Sequence, residues 1–243
     1  MSNSFFQGAG YAVTGLRWLP KAGLRSVVLI PLLINILLFG GGIWWSTGQF
    51  ERLDQTVQGW LPTWLAWLHW LLWPLFILTV LLVIFYTFSL IANLIASPFN
   101  SILAGRVERM LDPAGRTASS EFSWRELLLA PLTELGKALY FAAWALVPLL
   151  LSFVPVINVA APLIWAVFTA WMLALEYADY PLGNRGVNFR AQRRLLRQKW
   201  PLTLGFGGMT LLLTLIPGLN LLVMPAAVIG ATLMWHRELP ASR

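Results

Sequence analysis

The residues best suited to binding a ligand lie between positions 20 and 35, where a short cationic turn leads into an apolar segment. Gly23 allows a ligand to approach the backbone, and Lys21 and Arg25 place positive charge beside it. If Pro20 starts a helix, its first turn leaves the amide N–H groups of residues 24–26 unpaired. Unpaired N–H groups, the positive end of the helix dipole and a guanidinium together predict an oxyanion site.

A second interpretation of these residues is that Lys21 and Arg25 only flank a membrane span and set its orientation.

The composition is that of an integral membrane protein. Of the 243 residues, 58% are hydrophobic and 11% are charged, with a mean hydropathy of +0.69, whereas about a quarter of a typical soluble domain is charged. The net charge of +7 is therefore attributed to membrane orientation and anionic lipid, and no nucleic-acid partner is expected.

The sequence offers little material for catalysis. It has no cysteine, and its only histidines are His69 and His236, so a histidine metal site or a Ser-His-Asp triad is improbable. A phosphate-binding glycine motif followed by Lys-Ser or Lys-Thr is also missing. We predict that the chain is not an enzyme, binds no metal or cofactor, and acts in transport, ion conduction or as a membrane scaffold.

Two uncharged segments, residues 27–45 and 74–96, are predicted to be full transmembrane helices, since about 20 residues cross ~30 Å of hydrocarbon. Residues 1–22 are predicted to form an amphipathic segment at the membrane interface. Because the residue before a proline resists helical geometry, a turn is expected at positions 97–98. Residues 100–137 carry both charge signs and are predicted to be a cytoplasmic helical segment.

The last third of the chain contains an internal repeat, in residues 139–175 and 202–235. Each copy is a long apolar run interrupted once, by VPVIN at 154–158 and by IPGLN at 216–220. Because the runs before these breaks contain fifteen and fourteen residues, each copy is predicted to be a partly penetrating, re-entrant helical hairpin. The side chains of Asn158 and Asn220 are expected to satisfy backbone groups at the hairpin tips.

The basic residues support this topology. With residues 27–45 and 74–96 as the only full crossings, sixteen of the seventeen lysines and arginines lie on one side and only Arg52 lies on the other. The positive-inside rule then places both termini in the cytoplasm. The cationic tract at 184–200 is interpreted first as a topology and lipid-headgroup anchor.

Five sequence elements occur together in a fixed order: GLRSVVLIPLLIN (23–35), WLAWLHWLLWPL (64–75), IANLIASPFNSILA (91–104), EYADYPLGN (176–184) and IPGLNLLVMPAAVIGATLMW (216–235). With these elements the chain resembles the CysZ family of bacterial inner-membrane sulfate permeases over nearly its full length. The resemblance implies an all-α integral membrane protein with two long transmembrane helices, two pairs of partly penetrating helices and a homo-oligomeric assembly. It also implies uptake of sulfate across the bacterial inner membrane for cysteine biosynthesis.

The family's Gly-Leu-Arg motif is associated with sulfate binding, and it maps here to Gly23, Leu24 and Arg25. Where many relatives carry a second arginine, this chain has Ser26, whose hydroxyl can still donate to a sulfate oxygen. A second Gly-Leu-Arg triplet, at 15–17, precedes no span and is interpreted as coincidental or accessory. The resemblance therefore assigns the sulfate-binding role to residues 23–26.

A polar cluster is predicted where the second span meets the cytoplasm. It is interpreted either as an ion pathway or gate, or as a structural Arg–Glu network closing a helix junction. Its members are Asn35, Asn93, Asn100, Arg106, Glu108 and Arg109. Two functions stay open on the sequence: a sulfate channel or gradient-driven permease, and a non-transporting membrane adaptor of a separate sulfate importer or biosynthetic complex.

Overall fold

The computed structural model describes residues 2–34, 36–38, 40–41, 44, 69–113 and 124–238, and these residues form helices without a β-strand. A short 3₁₀ helix, Ile157–Ala160, precedes the fifth of the α-helices. In chain order the α-helices are α1 (Ser2–Trp18), α2 (Arg25–Leu38, of which residue 35 is not described), α3 (His69–Leu111), α4 (Trp124–Ser152), α5 (Ala161–Gly183), α6 (Phe189–Gln198), α7 (Trp200–Thr214) and α8 (Asn220–Glu238).

The chain divides into two compact units. The larger unit contains residues 1–28 and 100–243, and the smaller contains residues 29–99. The larger unit therefore holds α1, the start of α2, the end of α3 and all helices from α4 onward. The predicted oxyanion site, at residues 23–26, also belongs to this unit.

The core of the larger unit forms where α1, α5, α7 and α8 pack together. Glycines allow these helices to approach closely, as small residues do at helix contacts in membrane proteins. A Cβ atom on Gly205 of α7 would lie 1.9 Å from the carbonyl oxygen of Phe5 in α1, and one on Gly15 would lie 2.0 Å from that of Ala226 in α8. Helix α1, predicted to lie at the interface, therefore packs against the core along one face.

The two hairpins break at the predicted positions. Helix α4 ends at Ser152, before the VPVIN tip, and α7 ends at Thr214, before the IPGLN tip. At both tips the residue after the proline has a positive φ, +74° at Val156 and +81° at Gly218. The asparagines close the tips with their backbone N–H groups, Asn158 to Val154 O at 3.0 Å and Asn220 to Ile216 O at 3.1 Å. Within the described residues no hydrogen bond forms to either asparagine side chain, contrary to the expected role of these amides.

An ion pair closes each hairpin at its base. Lys137 of α4 pairs with Asp179 of α5, and Lys199, just before α7, pairs with Glu238 of α8 at 3.6 Å. Gln192 of α6 donates to Asp179 at 2.7 Å, and Lys199 directly follows α6, so α6 connects the bases of the two hairpins. Each hairpin extends from a charged base toward an uncharged tip.

The predicted turn at positions 97–98 is wrong, because α3 continues through Pro98 to Leu111. A proline inside a helix removes one backbone hydrogen bond, and the helical residues on both sides can sustain the element despite that loss. Residues 74–96 are thus the middle of a 43-residue helix. The segment predicted at 100–137 is shared between the end of α3 and the start of α4, with residues 114–123 outside the described part.

Two described stretches are long and apolar enough to cross a membrane, Leu135–Ser152 and Ile157–Gly183. These stretches are the two arms of the first hairpin. The sequence had predicted arms too short to cross the membrane. The first stretch includes Lys137 near the hairpin base, whereas the second is uncharged over residues 157–175 and reaches Glu176 and Asp179 only beyond them. Of the predicted span 27–45, residues 35, 39, 42–43 and 45 lie outside the described residues.

Candidate anion-binding site

The predicted site lies in the turn between α1 and α2. Gly23 has a φ of +88°, a backbone conformation that other residues seldom adopt. Leu24 is completely buried, which anchors the turn, and α2 begins at the next residue, Arg25. Pro20 lies in the turn rather than at the helix start, so the expectation that it begins the helix is wrong.

The backbone amides at this helix start differ from one another. The N–H of Leu24 donates to the carbonyl of Lys21 at 3.2 Å, so the prediction of a free amide is wrong for this residue. The N–H groups of Arg25 and Ser26 have no acceptor among the described residues. Two amides at the positive end of α2 are therefore available to an anion.

Arg106 joins the site from the end of α3. Its Nη1 donates to the carbonyl oxygen of Gly23 at 2.6 Å and to the hydroxyl oxygen of Ser26 at 3.3 Å. A guanidinium from another helix thus lies beside Ser26, the position at which the family resemblance predicts a second arginine.

The remaining cations of the turn have different environments. Lys21 places its Nζ 3.0 Å from the centroid of the Trp18 ring, in a cation–π contact. The side chains of Arg25 and Ser26 are exposed. The candidate donors to an oxyanion at this turn are therefore Arg25, Arg106, the Ser26 hydroxyl and two amides, and none of these groups needs a proton from the ligand.

Glu108, predicted as part of a gate, pairs with Arg185 rather than with a residue of this turn. It is only 3% exposed and accepts a hydrogen bond from Nε of Arg185 at 3.1 Å. Burial raises the pKa of Glu108 above the usual carboxyl value, while the charge and hydrogen bond of Arg185 act in the opposite direction. The pair joins the end of α3 to the segment after α5, as expected of a structural network at a helix junction.

Of the other predicted gate residues, the structure describes the side chains of Arg109 and Asn100. Arg109 is exposed at the end of α3. Asn100 is buried, and its Nδ2 has no hydrogen-bond partner among the described residues. Asn93 lies within α3, but its side chain is outside the described part, as is the whole of Asn35.

Sequence reasoning missed the role of Arg185, which it grouped with the lipid-anchoring tract. The sequence feature that could have indicated this role is the NRG turn directly after EYADYPLG, where Gly186 has a φ of +70°. Arg185 also places its guanidinium carbon 5.5 Å from the centroid of the Trp235 ring in α8. It therefore connects the ends of α3, α5 and α8.

The earlier Gly-Leu-Arg triplet has a packing role. Gly15 contacts the backbone of α8 at Ala226, where a Cβ atom would collide with a carbonyl oxygen. Residue 15 lies inside α1, so its amide is not part of a helix start. The geometry at 15–17 consequently differs from that at 23–25.

Comparisons with known proteins identify close relatives. A family model described as "Sulfate transporter CysZ/Etoposide-induced protein 2.4" matches residues 11–225. A protein named sulfate transporter CysZ from Pseudomonas paraeruginosa is 45% identical over 235 residues, covering 95% of each chain. Proteins of the same name from Pseudomonas aeruginosa and Pseudomonas fluorescens are 44% and 46% identical, with 95% of this chain covered in both cases and 95% and 91% of the relatives.

Proposed function

The chain belongs to the sulfate transporter CysZ family, and from this we propose that it takes up sulfate across the bacterial inner membrane. The relatives carry the names of transporters, which supports transport over catalysis and over the adaptor role. The proposed activity is that of a channel-like or gradient-driven permease that supplies sulfate for cysteine biosynthesis. The single observation that carries the proposal is the cluster of donors at the start of α2, where Arg106 meets residues 23–26.

The chemistry of this cluster suits sulfate. Sulfate is a dianion throughout the physiological pH range, so its site requires fixed positive charge and hydrogen-bond donors. Arg25 and Arg106 supply the charge, and the Ser26 hydroxyl and the free amides of α2 supply further donors. Because a conducting site must also release its ion, a small and exposed donor set is more suitable than an enclosed one.

A weak site must be linked to a pathway across the membrane. The Arg25 and Ser26 side chains are exposed in the described part of one chain, so further residues must enclose a conduction path at this site. We expect a second copy of the chain to contribute them, giving a homo-oligomer. Light scattering of the detergent-solubilised protein would measure this, and a monomer that still transports sulfate would contradict it.

We further propose that both hairpins penetrate the membrane only partly from the cytoplasmic side. Between base and tip the uncharged arms contain fifteen residues in α4, 138–152, and fifteen in α5, 161–175. At 1.5 Å per residue such arms reach roughly 22 Å, which is less than the ~30 Å hydrocarbon thickness. The tip of the first hairpin is exposed and apolar, with Val156 87% and Val159 84% exposed, as expected for a tip within lipid.

Cysteine labelling tests the depth of the hairpins, because the natural chain has no cysteine. We expect Val159→Cys and Leu215→Cys to resist a membrane-impermeant thiol reagent in both right-side-out and inside-out vesicles. Arg190→Cys, on exposed α6, is the control and should be labelled only from the cytoplasmic side. Labelling of the tip cysteines from the outside would show a full crossing and contradict partial penetration.

Sulfate flux tests the function itself. Proteoliposomes containing the purified chain should take up radiolabelled sulfate in a saturable manner, with no added nucleotide. Uptake equal to that of empty vesicles would overturn the proposal. If a stoichiometric partner then co-purified with the inactive chain, the adaptor function would be the better explanation.

A further inference from the structure

The first hairpin carries an apolar groove of about 540 Å³ along its surface, which we call the tryptophan groove. Its walls are two helix faces that run side by side. They are lined by Tyr140, Trp144 and Pro148 of α4 and by Ile164, Phe168 and Trp171 of α5. The spacing of three or four residues along each helix makes the groove about 12 Å long on α4, parallel to the hairpin arms.

One end of the tryptophan groove is polar and the other is not. Arg197 of α6 and Trp200 of α7 line the end toward Tyr140, which is one helical turn from the ion pair at the hairpin base. Arg197 is the only charged residue among the lining residues, and no described carboxylate forms an ion pair with it. The groove therefore has a single cationic end near the proposed membrane surface and an apolar remainder toward the tip.

Arg193 adds a second cation near the same end. Its guanidinium carbon lies 4.2 Å from the centroid of the Tyr140 ring and 5.1 Å from that of Phe189. Its Nε is buried and lacks a hydrogen-bond partner in the described residues. Arg193 and Arg197 of α6 thus both lie next to the polar end of the tryptophan groove.

We propose that the tryptophan groove binds an anionic phospholipid, with one acyl chain along the α4 and α5 faces and the phosphate at Arg197. The occupant is inferred from charge complementarity: the Arg197 guanidinium at the interfacial end, which pairs with no described carboxylate, suits a headgroup with net negative charge, and the uncharged walls suit a hydrocarbon chain. Tryptophans at this depth are favourable beside lipid headgroups. The proposal rests on the membrane placement of the first hairpin, but not on sulfate binding.

Native mass spectrometry of the detergent-purified protein tests this site directly. Phosphatidylglycerol and phosphatidylcholine with identical acyl chains are titrated against the wild type and two variants. Arg197→Gln removes the charge that lines the groove, and Arg194→Gln removes an exposed charge of the same helix that does not line it. Dihexanoyl phosphatidylglycerol and inorganic phosphate serve as probes that lack a long acyl chain.

The expected result is preferential binding of phosphatidylglycerol to the wild type, with roughly fivefold weaker binding to Arg197→Gln, the factor that corresponds to about 1 kcal/mol per arginine. Arg194→Gln should bind like the wild type, and the short-chain lipid and phosphate should bind much less. Equal binding of both lipids, an equal loss in both variants, or a groove occupied by a second copy of the chain would overturn the proposal. Because no sulfate is present, a chain that binds lipid but fails to transport would disprove only the proposed transport function.

Discussion

The two hairpins use the same structural elements at matching positions, and from the base lysine to the tip asparagine each residue of the first lies 62 positions before its counterpart in the second. Lys137 and Lys199 form the base ion pairs. Ser152 and Thr214 end the first arms, and each hydroxyl donates to the carbonyl four residues earlier, at 2.7 and 2.9 Å. The positive φ values and the asparagine N–H bonds of the tips follow at the same offset, so the repeat visible in the sequence is also a repeat of local geometry.

The surroundings of the two hairpins are different. In the second, α7 and α8 pack against α1 and α5, and every residue from Ala226 to Trp235 is buried. In the first, α4 packs mainly along α5 and is largely exposed, whereas α5 packs against α7 and α8 with the buried residues of its C-terminal half. The second hairpin therefore lies within the core of the larger unit, whereas the first leaves the outer face of α4 available to lipid.

The largest expected effect is at Gly205 in the second hairpin. Gly205→Ala places a methyl group 1.9 Å from the carbonyl oxygen of Phe5, so α1 and α7 must separate. We expect a loss of about 3 kcal/mol in the free energy of unfolding, measured by thermal or denaturant unfolding in detergent.

Two matched glycines serve as controls for Gly205. Gly136 in the first hairpin and Gly208 in α7 have no atom within 4 Å of an added Cβ. Alanine at either site should be neutral or should stabilise the helix by up to about 1 kcal/mol. If Gly136→Ala destabilised as much as Gly205→Ala, the contrast between a packed and an exposed hairpin would be incorrect.

The base ion pairs should differ in the same experiment. The Lys137 and Asp179 side chains are 11% and 24% exposed, and Asp179 also accepts a hydrogen bond from Gln192. Lys137→Met leaves that partly buried carboxylate without its cation, and we expect a cost of about 2 kcal/mol. Lys199 is 42% exposed, so Lys199→Met should cost less than about 1 kcal/mol. If Lys199→Met lowered the free energy of unfolding more than Lys137→Met does, the predicted order of the two ion pairs would be wrong.

The two hairpin tips should also respond differently to substitution. Gly218→Val puts a β-branched residue at a φ of +81° and should cost about 1–2 kcal/mol. Val156→Gly relieves the equivalent strain at +74°, but glycine gains freedom in the unfolded state, so a net change below about 1 kcal/mol is expected. Melting temperatures of the two variants measure both effects, and a strong destabilisation by Val156→Gly would show that the valine side chain itself holds the first tip.

The hairpins could be located from the sequence because proline and asparagine recur at fixed positions between apolar runs. The positive φ of Val156 was not predictable, since nothing in a β-branched residue indicates that conformation. The continuation of α3 through Pro98 was missed because the local preference before a proline is overridden in a long helix.

Only the contiguous residues of the candidate site could be predicted from the sequence. Gly23, Leu24, Arg25 and Ser26 are contiguous, and their pattern indicated a helix start with donors. Arg106 reaches Gly23 from 83 positions away, and that contact depends on how the end of α3 packs beside the turn. The same is true of Arg185 and Glu108, which pair over 77 positions. Such partners are set by tertiary packing rather than by local pattern.

Isothermal titration calorimetry with sulfate tests the central claim most directly, namely that Arg25 and Arg106 form one anion site. Arg25→Ala and Arg106→Gln should each weaken sulfate binding by about 1.5–3 kcal/mol, the range for a hydrogen bond to a charged group. Arg109→Gln, an exposed charge on the same helix as Arg106, should bind sulfate like the wild type. Unchanged affinity in both Arg25→Ala and Arg106→Gln would contradict the account and place the sulfate site elsewhere.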